Sequence, residues 1–194
     1  MRVATCLIFF LTFIWTLSSC TTGFSIASSG AQALYNRNSL QKKLSDHYIT
    51  MQANHKIYIE TDRYKDSHVA VSTFNNEVLL TGEITQAAKR KEIERKVQQI
   101  DGVQKVYNLT VVSPPSSPLI QVSDTWITAK IKAKLLATNE VDPDIIKVVT
   151  ENGIVYLMGI LPPEQANSAV QIARTTDGVQ SVVRVFYYLR VSKT

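Results

Sequence analysis

The chain has 194 residues, 45% of them apolar and 19% charged, which is enough for one ordinary domain or two small ones and too apolar for a disordered chain. Twenty-one basic against 16 acidic residues give a formal charge of +5, mildly basic and short of the clustered charge of a dedicated nucleic-acid binder. Two cysteines exclude a disulfide-dense scaffold, and a single near-spanning apolar run, at the very N-terminus, excludes a multi-pass membrane protein.

The N-terminal run is an address. Arg2 supplies a positive start, Val3 to Trp15 is apolar but for two threonines, and Leu17-Ser18-Ser19-Cys20 follows. A charged start, an apolar stretch and small residues before a cut describe a secretory signal. The tetrapeptide resembles the lipobox of bacterial lipoproteins. That resemblance implies a signal peptide over 1–19 and a mature chain that begins at Cys20, acylated (palmitate-type chains) on its thiol and its new amine. An uncleaved N-terminal anchor with an incidental Cys is the alternative. Thr21 stands where an Asp would imply inner-membrane retention, so the resemblance points to the outer membrane. Several buried acyl chains, at about 0.8 kcal/mol per CH₂, make such an anchor effectively permanent. Cys6 would leave with the signal.

Residues 20–45 are rich in Ser, Thr, Gly, Asn and Gln and read as a flexible tether. Ser113-Pro114-Pro115-Ser116-Ser117-Pro118 marks a stiff linker, placed at 113–122. Around this linker the chain repeats itself. Val69–Gly82 laid over Ile146–Gly159 matches at six of fourteen positions: Val71/Val148, Thr73/Thr150, Asn75/Asn152, Val78/Val155, Leu80/Leu157 and Gly82/Gly159. Asp101-Gly102-Val103-Gln104 matches Asp177-Gly178-Val179-Gln180. Two ordered blocks make the mature chain two copies of one module, 46–112 and 123–191.

In chain order, the first copy predicts a helix over 46–60. A hairpin follows, its alternating strands meeting at Asn75-Asn76. A second helix over 86–100 carries Ala88, Ile93, Val97 and Ile100 on one face. Asp101-Gly102 stops it, glycine taking the left-handed residue, and a third strand runs over 104–112. The second copy predicts the same: a helix over 124–137, a hairpin turning at Asn152-Gly153, a helix from Pro163 or Glu164, and a strand over 181–191. Each copy is therefore αββαβ, with two helices on one face of a small three-stranded mixed sheet. The fold class is α+β, and the second helix makes a right-handed crossover. The uncovered sheet face is expected to be more polar.

This order, with glycine closing the second strand and Asp-Gly-Val after the second helix, resembles the BON domain of bacterial envelope proteins. The residues that carry the resemblance are Asp124-Thr125-Trp126-Ile127-Thr128, Lys130, Leu135-Leu136, Val149 to Gly153 and Leu157-Met158-Gly159. Two copies behind a lipobox resemble the dual-BON outer-membrane lipoproteins. The resemblance implies a periplasmic-face lipoprotein whose second BON domain binds anionic phospholipid. It also implies support of outer-membrane integrity and gathering at division sites.

The first helix of the second copy can be tested on a wheel. With Trp126 at zero, Ile127, Ile131 and Leu135 fall at about 100°, 140° and 180°, and Ala129, Ala133 and Leu136 at about 300°, 340° and 280°. A helix on a sheet buries one stripe only. If the Trp126 stripe faces out, Trp126, Ala129, Ala133 and Leu136, with Lys130 and Lys132 on its shoulders, form an interfacial face suited to anionic headgroups. The alternatives are that Trp126 is ordinary core with the lysines solvated, or that the stripe docks a protein such as the outer-membrane-protein assembly machinery. Lys89-Arg90-Lys91 with Arg95-Lys96 is interleaved with Glu92 and Glu94 and reads as a solvated helix face. His47, His55 and His68 lack metal-ligand spacing, and no catalytic motif is present, so no metal, no cofactor and no enzymatic activity are expected.

Overall fold

The computed structural model describes residues 29–59 and 64–188, with side chains from Leu40 onward. The expected signal peptide and Cys20 lie outside the described residues. Both repeats belong to one compact unit that begins at Asn38. The first copy comprises α1 (Ser29–Asn54), which ends in a π-helical turn at His55–Ile59, then β1 (His68–Phe74), β2 (Glu77–Ile84), α2 (Ala87–Gln98), β3 (Lys105–Asn108) and β4 (Val111–Val112). The second comprises α3 (Pro118–Ala137), β5 (Ile146–Glu151), β6 (Ile154–Leu161), α4 (Pro163–Arg174) and β7 (Ser181–Tyr188). The fold class is α+β, as the repeat implies.

In each copy the hairpin strands are antiparallel and the third strand lies parallel to the second, in the order β1-β2-β3 and β5-β6-β7. The hairpin turns have left-handed backbone at Asn75 and Asn76 (φ 51° and 65°) and at Asn152 and Gly153 (φ 51° and 71°), the type I′ geometry these residues tolerate. An aspartate on the first helix holds each turn. Asp46 accepts from the amides of Asn75 and Asn76 at 2.8 and 2.7 Å, and Asp124 from those of Asn152 and Gly153 at 2.6 and 2.8 Å. One helical turn later Thr50 donates to Thr73 and Thr128 to Thr150, at 2.8 and 2.7 Å. A helix that repeats Asp and Thr at i and i+4 is thereby pinned to its hairpin in both copies.

Each copy has its own core. Ile49, Ile57, Val78, Leu80, Ile93 and Val97 are buried together in the first, and Ile127, Ile131, Leu135, Val155, Leu157, Ala169 and Ala173 in the second. Alternate strand residues meet helix residues spaced three or four apart, which is what the two periodicities allow. Gly82 and Gly159 sit where the backbone at the start of the first hairpin strand, or just before it, passes too close for a side chain. A Cβ on Gly82 would lie 2.2 Å from the His68 carbonyl oxygen, and one on Gly159 2.7 Å from that of Ile145.

Four expectations are corrected. Helix α1 begins at Ser29, so the later part of the stretch expected as a tether is helical. Helix α3 begins at Pro118 rather than at 124 and takes up the second half of the expected linker; proline at the first helical position forfeits no hydrogen bond. The third strand of the first copy is interrupted. Its pairing to β2 keeps one offset, Leu80 with Asn108 and Glu83 with Val111, but breaks opposite Gly82, whose φ is +97°. There Asn108 bonds to Arg90 of α2 and Thr110 folds back onto the Asn108 side chain at 2.6 Å.

The fourth correction concerns the uncovered sheet faces. They are apolar, and they pack against each other. Leu79, Phe74 and Tyr107 of the first copy form one cluster with Tyr156, Met158 and Val185 of the second. The runs Val78-Leu79-Leu80 and Val155-Tyr156-Leu157-Met158 do not alternate because both sides of these central strands are buried. At the margins Lys147 donates to the Thr73 carbonyl at 2.9 Å and Tyr107 to the Tyr187 hydroxyl at 3.2 Å. Burial first, then the Tyr187 bond, pushes the Tyr107 phenol up to about 12.

Candidate functional site

Helix α3 turns Ile127, Ile131 and Leu135 into the core, at 3% exposure or less. The opposite stripe is open. Trp126 is 66% exposed and Leu136 69%, with Ala129 and Ala133 exposed between them. The stripe also extends upstream. Leu119 and Val122 are 78% and 67% exposed, and the spacing 119, 122, 126, 129, 133, 136 keeps them all on one side of the helix. Six residues thus form an apolar strip roughly 26 Å long, at 1.5 Å per residue. The sequence reading places Pro118 in the linker and so leaves Leu119 and Val122 out of the stripe. The signal was the same three-four spacing continued backward from Trp126. Among the described residues no helix is long and apolar enough to cross a membrane.

The lysines beside this strip differ. Lys130 is half-buried and donates to the Asp177 carbonyl at 3.3 Å. Lys134 donates to the Thr175 carbonyl and the Thr176 hydroxyl at 3.3 and 3.0 Å. Both ammonium groups therefore sit at the C-terminal end of α4, where free carbonyls attract cations. Lys132, on the other shoulder, is exposed and lines a cleft of about 400 Å³. Its walls come from β1 (His68, Ser72), from β5 (Lys147, Glu151) and from the polar side of α3 (Gln121, Thr125, Thr128).

The first copy presents the corresponding face in weaker form. With Asp46 set on Asp124, Leu44, Tyr48 and Met51 occupy the places of Val122, Trp126 and Ala129. Together with Leu40 they are 48–61% exposed. Three of the five basic residues on α2 are used within the fold. Lys89 pairs with Asp66 at 2.8 Å and, with Thr85, holds that carboxyl below its ordinary range, while Arg90 donates to the Asn108 carbonyl and Lys96 pairs with Glu92. His68 contacts Glu151 of the second copy at 3.2 Å.

The family model described as the BON domain matches twice, over residues 45–114 and 123–188, one match on each repeat. The outer membrane lipoprotein DolP of Haemophilus influenzae is 30% identical over 148 residues, 76% of either chain. The 21 kDa hemolysin of Actinobacillus pleuropneumoniae is 35% identical over 127 residues, 65% of either chain. Osmotically-inducible protein Y of Escherichia coli is 29% identical over 158 residues, 80% of this chain and 78% of that one. With both repeats matched and folded as αββαβ units, the chain belongs to the BON-domain family.

Proposed function

We propose that this chain is an outer-membrane lipoprotein of the BON family, held by acylated Cys20 at the periplasmic face, whose helix α3 lies on anionic phospholipid and thereby supports membrane integrity. The observation that carries the proposal is the exposed strip Leu119, Val122, Trp126, Ala129, Ala133 and Leu136. It stands on a helix whose opposite stripe, Ile127, Ile131 and Leu135, is committed to the core. Apolar residues centred on a tryptophan, with a free lysine at one shoulder, match the physics of an interfacial helix. A relative with the word lipoprotein in its name, similar over three quarters of both chains, supports the anchor and the membrane. With Cys20 in the leaflet, the strip acts at high effective concentration, so weak intrinsic affinity suffices.

Sedimentation of residues 38–194 with vesicles tests this. Anionic vesicles should bind the protein and zwitterionic ones should bind it less. Trp126→Glu and Leu136→Glu should each cut binding at least tenfold with an unchanged circular dichroism spectrum. Lys130 and Lys132 changed together to Gln should weaken binding more at low salt than at high, with Lys132 giving most of the effect. Folded Trp126→Glu and Leu136→Glu variants that bind like wild type would remove α3 as the lipid face. The strip would then serve protein docking, for instance with the outer-membrane-protein assembly machinery.

A further inference from the structure

The two repeats meet not only through apolar side chains but through a cluster of buried carboxylates. Glu83, at the end of β2, is 2% exposed; Glu151, at the end of β5, is 6% exposed; Asp124, on α3, is 4% exposed. Asn152 lies among them. Its backbone amide donates to Asp124 and its side-chain amide to Glu83 across the domain boundary. Glu83 also accepts from the Ser116 amide at 3.2 Å. Two of the three carboxylates therefore have strong amide donors. Glu151 has His68 of the first copy, at 3.2 Å. The other ionisable groups near it are Lys147, on its own strand and held to the Thr73 carbonyl, Lys132 across the cleft, and the phenols of Tyr58 and Tyr156, which both feel its charge.

We propose that docking of the two BON domains is proton-linked through Glu151. The docked pair takes up a proton on this carboxyl, so acid tightens the domain interface and alkaline medium loosens it. The geometry favours this, because docking brings Glu83 of one copy towards Glu151 of the other, and both are buried in the docked chain. Like charges that water reaches poorly are relieved by protonating the member with the fewest donors. Asp124 and Glu83 each accept hydrogen bonds from two amides, which leaves Glu151 as that member. His68 can donate to the ionised carboxyl or accept from the neutral one, so its contact survives either state.

Burial first, then the Glu83 and Asp124 charges, pushes the Glu151 carboxyl up from 4.5 to about 7. An acid whose value is raised in the docked state contributes stability that is complete below about 4.5 and is lost as pH rises through 7. Between pH 5.5 and 7.5 that shift corresponds to a loss of about twentyfold in the folding constant of the docked chain.

The experiment is denaturation of the full chain in non-ionic detergent at pH 5.5, 6.5 and 7.5, together with the carbon chemical shift of the Glu151 carboxyl. Wild type should lose about twentyfold across this range, and Glu151→Gln should abolish the slope. Glu83→Gln changes only the first copy. It should nevertheless lower the pH at which Glu151 titrates in the second, which shows that the linkage crosses the interface. A slope that persists in Glu151→Gln overturns the proposal. Should that variant fail to fold, a wild-type Glu151 that titrates below pH 5, or one indifferent to Glu83→Gln, overturns it equally.

Discussion

The pinning of each hairpin by a helix aspartate can be measured by removing it. Asp124→Ala leaves the amides of Asn152 and Gly153, which donate to it at 2.6 and 2.8 Å, without their acceptor. Asp124 is 4% exposed, so water reaches these amides poorly. Each orphaned donor costs about 1–3 kcal/mol, or roughly 2–6 for the pair. Loss of one charge from beside Glu83 and Glu151 relieves part of this, and the expected net destabilisation is about 2–4 kcal/mol. Asp46→Ala breaks the same two bonds in the first copy, but Asp46 is only half-buried and solvent can replace the lost acceptor. Its cost should be about 1 kcal/mol. Asp124→Asn, which keeps one acceptor oxygen, should fall between. Urea denaturation of the three variants measures the losses, and amide exchange at Asn152 and Gly153 locates them. Equal losses in Asp124→Ala and Asp46→Ala would refute the argument that burial decides the cost.

Two further outcomes follow from the same structure. Ile131→Glu places a carboxylate at a fully buried position and should unfold the second copy, a loss of several kcal/mol visible as a missing cooperative transition, whereas Trp126→Glu should melt near wild type. Cys20→Ala should prevent acylation and move the protein from the outer-membrane fraction to the soluble one; an unacylated variant retained in that membrane at wild-type level would refute the anchor.

Much of this protein was legible in one dimension because its information is local and is written twice. The hairpins followed from Asn75-Asn76 and Asn152-Gly153, whose left-handed tolerance is a property of the residues themselves. The two opposed stripes of α3 followed from helical periodicity; which of them faces out was left open by the residues and is decided by the packing, which exposes Trp126. The Asp and Thr at positions 46 and 50 recur at 124 and 128, but the turn amides and strand hydroxyls they bind lie 22 to 30 residues away. Pairing at that distance is a tertiary fact.

What only the tertiary structure decided is the fate of the second sheet face and of the charges along it. Leu79, Tyr156 and Met158 could have marked central strands of any buried sheet; nothing local says that each face would be covered by the other copy. The same holds for Glu83, His68 and Glu151, which look like ordinary strand-end polar residues until docking brings them together. Leu119 and Val122 join the strip on α3 because Pro118, a residue equally at home in a linker, here starts the helix. Local conformational preference depends on a residue and its near neighbours, and the sequence carries it directly. Burial and electrostatic coupling depend on which surfaces meet, and that is set by the packing free energy of the whole chain.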